Sequence, residues 1–134
     1  MLKQENLALY AFQTFGDNAL RAAYCCTGSL AAAEQTAQAV FAALRREPPV
    51  LSDDAALKAW ILRNVIVLCS RRSPAHPFAE LPPHCAEIAY LYECEHYSAS
   101  EIAELLGRPE HTVLTQLTEC RRILEEAKAE GDCA

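Results

Sequence analysis

The chain has 134 residues, of which 51% are hydrophobic and 22% charged, and its formal net charge is −6. This length allows one or two small domains, the hydrophobic fraction excludes disorder along the whole chain, and the negative charge disfavours a non-specific polyanion binder. Ala and Leu dominate and Gly is found only four times. The composition therefore favours helices over a β-sandwich or barrel.

Six or seven helices and no sheet are predicted along the chain. Ser29 is the expected N-cap of the third helix, and Ser52 or Asp53 that of the fourth. Proline-rich residues 73–77 predict a linker, and the proline pair at 82–83 predicts the start of a new helix. The predicted spans are about 5–14, 17–26, 29–46, 53–72, 83–93, 98–107 and 109–130.

The strongest local pattern lies at residues 98–117. Ser98 and Glu101 have the spacing of a capping box, and Gly107 allows the positive φ that ends a helix. Pro109 suits the first turn of the following helix. The pattern predicts a helix-turn-helix, whose second helix could enter a major groove; the alternative is an antiparallel helix pair with no DNA role. The apolar faces of the two helices comprise Ile102, Leu105, Leu106, Val113, Leu117 and Leu124.

Three motifs in this order resemble a bacterial RNA polymerase sigma factor of the sigma-70 class, extracytoplasmic-function type. Residues 33–41 (AEQTAQAVF) resemble the family signature Ala-Glu-Asp-x-x-Gln-Glu-x-Phe, and residues 57–63 (LKAWILR) resemble the start of the helix that reads the −10 element. Residues 81–83, 88–92, 97–107 and 112–113 resemble the domain that reads the −35 element. The resemblance implies an all-α chain with a region 2-like domain at 1–72, a linker at 73–81 and a region 4-like helix-turn-helix domain at 82–134.

The resemblance also implies partners and site residues. Core RNA polymerase would bind Glu34, Gln38 and Phe41. The −10-like helix would contact DNA through Trp60, Arg63, Arg71 and Arg72. The recognition helix would use Arg108, Thr112, Thr115, Gln116 and Arg121. Promoter DNA would be bound only weakly by the chain alone, and an anti-sigma factor is a further candidate partner.

Departures from the family pattern favour an alternative function. Gln35 and Ala39 stand where the family has acids, Val67 stands at a usual Asn, and Glu119 stands where an arginine is expected. Residues 81–134 carry eleven acidic and four basic side chains, a net charge of −7, whereas residues 1–80 carry +1. The alternative is a degenerate sigma paralogue that acts as a protein-interaction regulator and does not bind promoters independently.

No catalytic or cofactor-binding motif is recognisable, so we expect neither enzyme activity nor a cofactor. Seven cysteines, an odd number, without a signal-peptide pattern predict reduced thiols in a cytoplasmic protein with no membrane partner. His84, Cys85, Cys94 and His96 could be imagined as a zinc site, but adjacent donors on one helix are poor ligands together, so no metal is expected. A small metal- or thiol-sensing regulator is the third candidate, and it rests only on the cysteines.

Overall fold

The computed structural model describes residues 6–71 and 85–132, and within those ranges the regular structure is helical, without strands. The predicted all-α class is confirmed. The chain divides into two compact units, Met1–Pro77 and Phe78–Ala134. The predicted linker and the predicted helix start at the proline pair lie outside the described residues. The helices are α1 (Leu7–Thr27), α2 (Leu30–Arg46), α3 (Asp54–Arg71), α4 (Cys85–Ala89), α5 (Ala99–Leu106) and α6 (Glu110–Asp132), with a π-helical turn at Tyr90–Cys94.

The first two predicted helices form one continuous helix, α1, so the predicted break near Gly16 is wrong. A glycine inside a helix costs only about 1 kcal/mol relative to alanine. The buried face of α1 continues on both sides of Gly16, from Leu7 and Ala11 to Ala19 and Ala22. Burial of this uninterrupted face against α2 and α3 offsets the local cost.

Capping residues that were predicted from the sequence end α1 and begin α2 and α3. Gly28 ends α1 at φ 70°, and Ser29 accepts a 3.3 Å hydrogen bond from the backbone N–H of Ala32 at the start of α2. At α3, Asp53 accepts a 2.9 Å bond from the N–H of Ala56, which identifies Asp53 as the cap. Small side chains line the α1–α2 contact, and branched side chains of α3 complete the core. The α3 core residues are Leu57, Ile61, Leu62, Val65 and Ile66.

The second unit begins with a short α-helix that widens into the π-helical turn. The predicted helix 83–93 is therefore described as α4 from Cys85, continued by the turn to Cys94. In the turn, the Tyr90 hydroxyl donates a 2.5 Å hydrogen bond to Glu95, and the N–H of Tyr97 donates to the carbonyl of Leu91 at 3.0 Å. The chain is thereby folded back toward α5.

Helices α5 and α6 are joined by residues 107–109 and pack on each other. Both hydrogen bonds of the predicted capping box are present, from Glu101 N–H to the Ser98 hydroxyl and from Ser98 N–H to the Glu101 carboxylate, each 3.1 Å. Gly107 ends α5 at φ 68°. Buried side chains of α4, the π-helical turn, α5 and α6 form the second core, which comprises Ile88, Tyr90, Leu91, Ile102, Ala103, Leu105, Val113, Leu117 and Cys120.

None of the helices in the described part of the chain combines the length and the hydropathy that crossing a bilayer requires.

Candidate functional site

An open groove of about 1120 Å³ runs between α1 and α2 and is mainly apolar. We call it the α1–α2 groove. Leu9 and Phe12 of α1 are 58% and 60% exposed there. The ring of Phe12 meets that of Phe41 of α2 edge to face, with 5.6 Å between ring centroids and 80° between planes. Exposed aromatic and aliphatic side chains around a groove are typical of protein-interaction surfaces.

The three residues predicted to bind polymerase all line this groove. Glu34 and Gln38 are exposed and Phe41 is half-buried. They lie four and three residues apart, so they share one face of α2. Sequence reasoning missed Leu9 and Phe12 on the facing helix. The sequence feature that could have identified them is a pair of apolar side chains three residues apart that does not belong to the buried face of α1.

The charges of the α1–α2 groove are separated along its length. A short connection joins α1 to α2, so the two helices run antiparallel, with Phe12 beside Phe41. Asp17 and Glu34 therefore lie toward the connection, and Arg45 and Arg46 lie toward the other end. A partner helix with complementary ends would be held in one direction.

The −10-like residues on α3 are only partly described. Trp60 is half-buried and its carbonyl accepts a 2.8 Å hydrogen bond from the Asn64 side chain, while Arg63 is exposed. Arg71 ends α3, but its side chain lies outside the described ones, and Arg72 lies outside the described residues. Trp60 and Arg63, three residues apart, share one face of the helix.

The predicted recognition residues of α6 do not share one face. A helix turns about 100° per residue, so Thr112 and Arg121 point to nearly opposite sides. Thr115 is exposed and Gln116 half-buried on the side of Thr112. The hydroxyl of Thr115 donates to the His111 carbonyl at 2.9 Å. Glu119 is exposed on the same side, so this face carries an acid where duplex phosphates would approach.

Nearby cations are held by other side chains. Arg108, predicted to contact DNA, donates a 2.8 Å hydrogen bond to Glu87 of α4, whose side chain is only 8% exposed. The guanidinium of Arg121 lies 4.5 Å from the ring centroid of Tyr92 and 3.9 Å from Glu93. Arg122, on the side of Thr115, donates a 3.0 Å bond to Glu126. Each of these arginines would have to leave its present contacts to reach a phosphate.

A second groove, of about 640 Å³, lies along the other face of α6 and is open to solvent. We call it the α6 groove. Leu114, 49% exposed, lies within it beside Leu117. The remaining lining comes from the π-helical turn, the following loop, the start of α5 and α6 itself: Tyr92, Glu93, His96, Tyr97, Ser98, Ala99, Glu101, Thr118 and Arg121.

The carboxylates around the α6 groove affect the pKa of Tyr97. Burial raises the pKa of the Tyr97 phenol, and the negative charges of Glu95 and Glu101 raise it further. His96, beside it, takes a left-handed backbone conformation at φ 61°, which is uncommon outside glycine and turns the chain sharply into the groove wall. The groove is thus bordered by carboxylates.

The expectation that every thiol is reduced is wrong for Cys120 and for its disulfide partner. Cys120 is buried at 3% exposure and is disulfide-bonded, and its partner is not among the side chains that the structure describes. Cys25, Cys26, Cys69 and Cys94 form no disulfide bond. Within the described residues, no three His, Cys, Asp or Glu side chains cluster closely enough to hold a metal ion.

No protein-family model matches the chain, and no curated protein matches it either. The resemblance to sigma factors therefore stays a prediction. The features that bear on function are the α1–α2 groove, the two faces of α6 and the charges around them.

Proposed function

We propose that this chain is a sigma-factor-like protein of transcription initiation, with no enzyme activity, that binds core RNA polymerase through the α1–α2 groove and directs it to promoter DNA. The observation that carries the proposal is that Glu34, Gln38 and Phe41, which the family resemblance singles out, line one exposed groove. Phe12, from the facing helix, supplies the aromatic anchor that binding surfaces favour.

Promoter contact would come from Arg63 on α3 and from Thr112, Thr115 and Gln116 on α6. These α6 side chains share a face and could read base edges. Polymerase would supply the remaining affinity by holding the chain near DNA, which raises its effective concentration there. In this mechanism the chain first binds polymerase, and its α6 side chains then contact the promoter bases.

The contacts of Arg108 and Arg121 with other side chains favour a second function. Arg108 and Arg121 are engaged with Glu87 and with Tyr92 and Glu93, and Glu119 lies on the face that would read DNA. Phosphate contacts supply most of the affinity of DNA-binding proteins. These contacts favour a degenerate sigma paralogue that binds polymerase or another regulator as a protein-interaction module, without independent promoter binding.

The test of polymerase binding is a titration of purified bacterial core RNA polymerase with the full-length chain. We expect Phe12→Ser and Gln38→Ala to weaken binding by about tenfold or more, as is typical at the centre of an interface. Leu30→Ser is the matched control, because Leu30 is 56% exposed in the same unit but does not line the groove. Unchanged affinity in both groove variants, or equal loss in the control, would contradict the proposal.

Run-off transcription on a pool of promoters separates the two functions. A specific transcript that depends on the chain supports the sigma-like function. Polymerase binding without any chain-dependent transcript supports the interaction regulator. Since both require the α1–α2 groove, Phe12→Ser should abolish either outcome.

A further inference from the structure

The α6 groove is lined by none of the residues to which the proposed function assigns polymerase docking or promoter contact. It lies on the face of α6 that bears Leu114, Thr118 and Arg121, away from the face of Thr112 and Thr115. The described lining residues all belong to the second unit. The α6 groove and the α1–α2 groove therefore share no described lining residue, and the inference does not depend on the proposed function.

The lining of the groove is partly apolar and open to solvent. Leu114 is 49% exposed, and Leu117, Tyr92 and Tyr97 line the same groove. An exposed leucine alone is ordinary, but one that shares a concave surface with two tyrosines can take an apolar side chain from a partner. The groove follows α6, which suits the apolar face of an amphipathic helix.

The rim of the groove is acidic. Glu93 and Glu101 line it, both exposed, and Glu95 lies close enough to Tyr97 to act on its ionisation. Among the described lining residues the arginine is Arg121, whose guanidinium lies 4.5 Å from the ring centroid of Tyr92 and 3.9 Å from Glu93. Arg121 and Glu93 partly offset each other's charge, and Glu101 and the nearby Glu95 keep the rim negative. The background is negative as well, because residues 81–134 carry a net charge of −7.

We propose that the α6 groove binds a basic amphipathic helix of a partner protein, with apolar side chains over Leu114 and lysines or arginines against Glu93 and Glu101. The charges select this occupant. Duplex DNA would bring its phosphates against the same carboxylates, and an acidic helix would be repelled. A basic helix gains both apolar burial and long-range attraction.

The test uses the full-length chain and two labelled synthetic peptides of 14 residues. Both have leucines at amphipathic helical spacing, and the polar positions are all lysine in one and all glutamate in the other. Fluorescence anisotropy should detect binding of the lysine peptide at least tenfold tighter than that of the glutamate peptide. In amide NMR spectra, the lysine peptide should shift Tyr92, Tyr97 and Leu114. Shifts confined to other residues would overturn the proposal.

Two variants separate the apolar from the ionic contribution. Leu114→Ser should weaken the lysine peptide about threefold to tenfold through lost apolar contact. Glu93→Gln combined with Glu101→Gln should weaken it by a similar factor, and glutamine at position 101 still serves the capping box. The control is Glu104→Gln, an exposed charge on α5 outside the groove. It removes one charge where the groove variant removes two, so its effect should be clearly less than half as large on a logarithmic scale of affinity.

Several results would overturn the proposal. Equal loss in Glu104→Gln and in the groove variant would mean attraction by the whole acidic unit. Affinity unchanged by Leu114→Ser would mean that the groove is not occupied. Preferential binding of the glutamate peptide, or displacement of the lysine peptide from Leu114 by duplex DNA, would assign the groove to another occupant. Circular dichroism of each variant verifies that the helices are retained.

Discussion

At the scale of single residues, the same amino acid serves two different purposes at Gly16 and Gly107. Gly16 lies inside a continuous helix, where a glycine carries an entropic cost and needs no special conformation. Gly107 lies at φ 68°, in the left-handed region that side chains with a Cβ avoid. The position of each glycine in the chain suggested a break, and only the backbone conformation distinguishes them.

We therefore predict opposite effects of one substitution. Gly16→Ala should raise the free energy of unfolding by about 0.5–1 kcal/mol, because alanine is the better helix former. Its new Cβ would lie 3.8 Å from the ring of Phe12, an ordinary contact. Gly107→Ala should lower the free energy by about 1 kcal/mol through backbone strain. Its Cβ would meet no atom within 4 Å, so no clash contributes.

Urea unfolding followed by circular dichroism measures both effects. Ala42→Gly, at an exposed position inside α2, serves as a reference for the ordinary cost of a helix-interior glycine. Stabilisation by Gly107→Ala would contradict the assignment of its left-handed cap, and destabilisation by Gly16→Ala would contradict the continuous packing of α1.

At the scale of elements, local signals were predictable from the sequence and non-local contacts were not. The Ser98–Glu101 capping box and the Ser29 cap follow from residues within one turn of each other, and the structure confirms both. The pairing of Arg108 with Glu87 joins residues 21 positions apart. Helical periodicity does not reveal a contact between residues so far apart in the sequence. Arg108 was therefore assigned to DNA contact from the resemblance. The π-helical turn likewise depends on packing around Tyr90 rather than on propensity.

The Arg108–Glu87 pair should stabilise the second unit by fastening α4 to the turn between α5 and α6. Arg108→Gln should lower the free energy of unfolding by about 1–3 kcal/mol, since Glu87 is left buried without its cation. The loss should stay below that of a fully buried pair, because the Arg108 side chain is 23% exposed. Chemical denaturation of the full chain measures it.

The matched control is Arg122→Gln. Its partners, Glu119 and Glu126, are exposed, so the expected change is within about 0.5 kcal/mol. The double variant Arg108→Met with Glu87→Leu should recover much of the lost stability, because it removes both charges together. A loss in Arg108→Gln no larger than that of the control would mean that the pair does not hold α4.

At the scale of the whole molecule, the candidate sites differ in how far the sequence predicted them. The polymerase-binding set was predicted from the family resemblance, and its residues lie together because helical spacing puts them on one face of α2. The facing half of that groove comes from α1 through tertiary packing, so Phe12 was missed. The recognition set failed to come together because Arg121 was chosen by family position rather than by its angle around α6. The acidic balance of residues 81–134, by contrast, was evident from composition.

The net negative charge of residues 81–134 should weaken binding to DNA. Full-length protein should bind a 20-base-pair duplex with a dissociation constant no tighter than about 10⁻⁶ M at physiological salt, the range of non-specific binding. On the face of α6 with Thr115, the nearest cation, Arg122, is paired with Glu119 and Glu126. Phosphate contacts fix the register in which bases are read, so the threonines and Gln116 cannot act alone.

Removing two acids of α6 should restore some affinity. Glu110→Gln combined with Glu119→Gln should tighten binding severalfold, because Glu119 lies on the face of Thr115 and Glu110 lies at the N-terminal end of the same helix. Glu93→Gln combined with Glu104→Gln changes the net charge equally but lies outside α6, and it should have less effect. Anisotropy titrations at several salt concentrations give the affinity and the salt slope, which rises by about one unit for each added phosphate contact. Sub-micromolar, sequence-specific binding by the unmodified chain, with a steep salt slope, would show that Arg108 or Arg121 leaves its present contacts on DNA, and it would make promoter reading intrinsic to the protein.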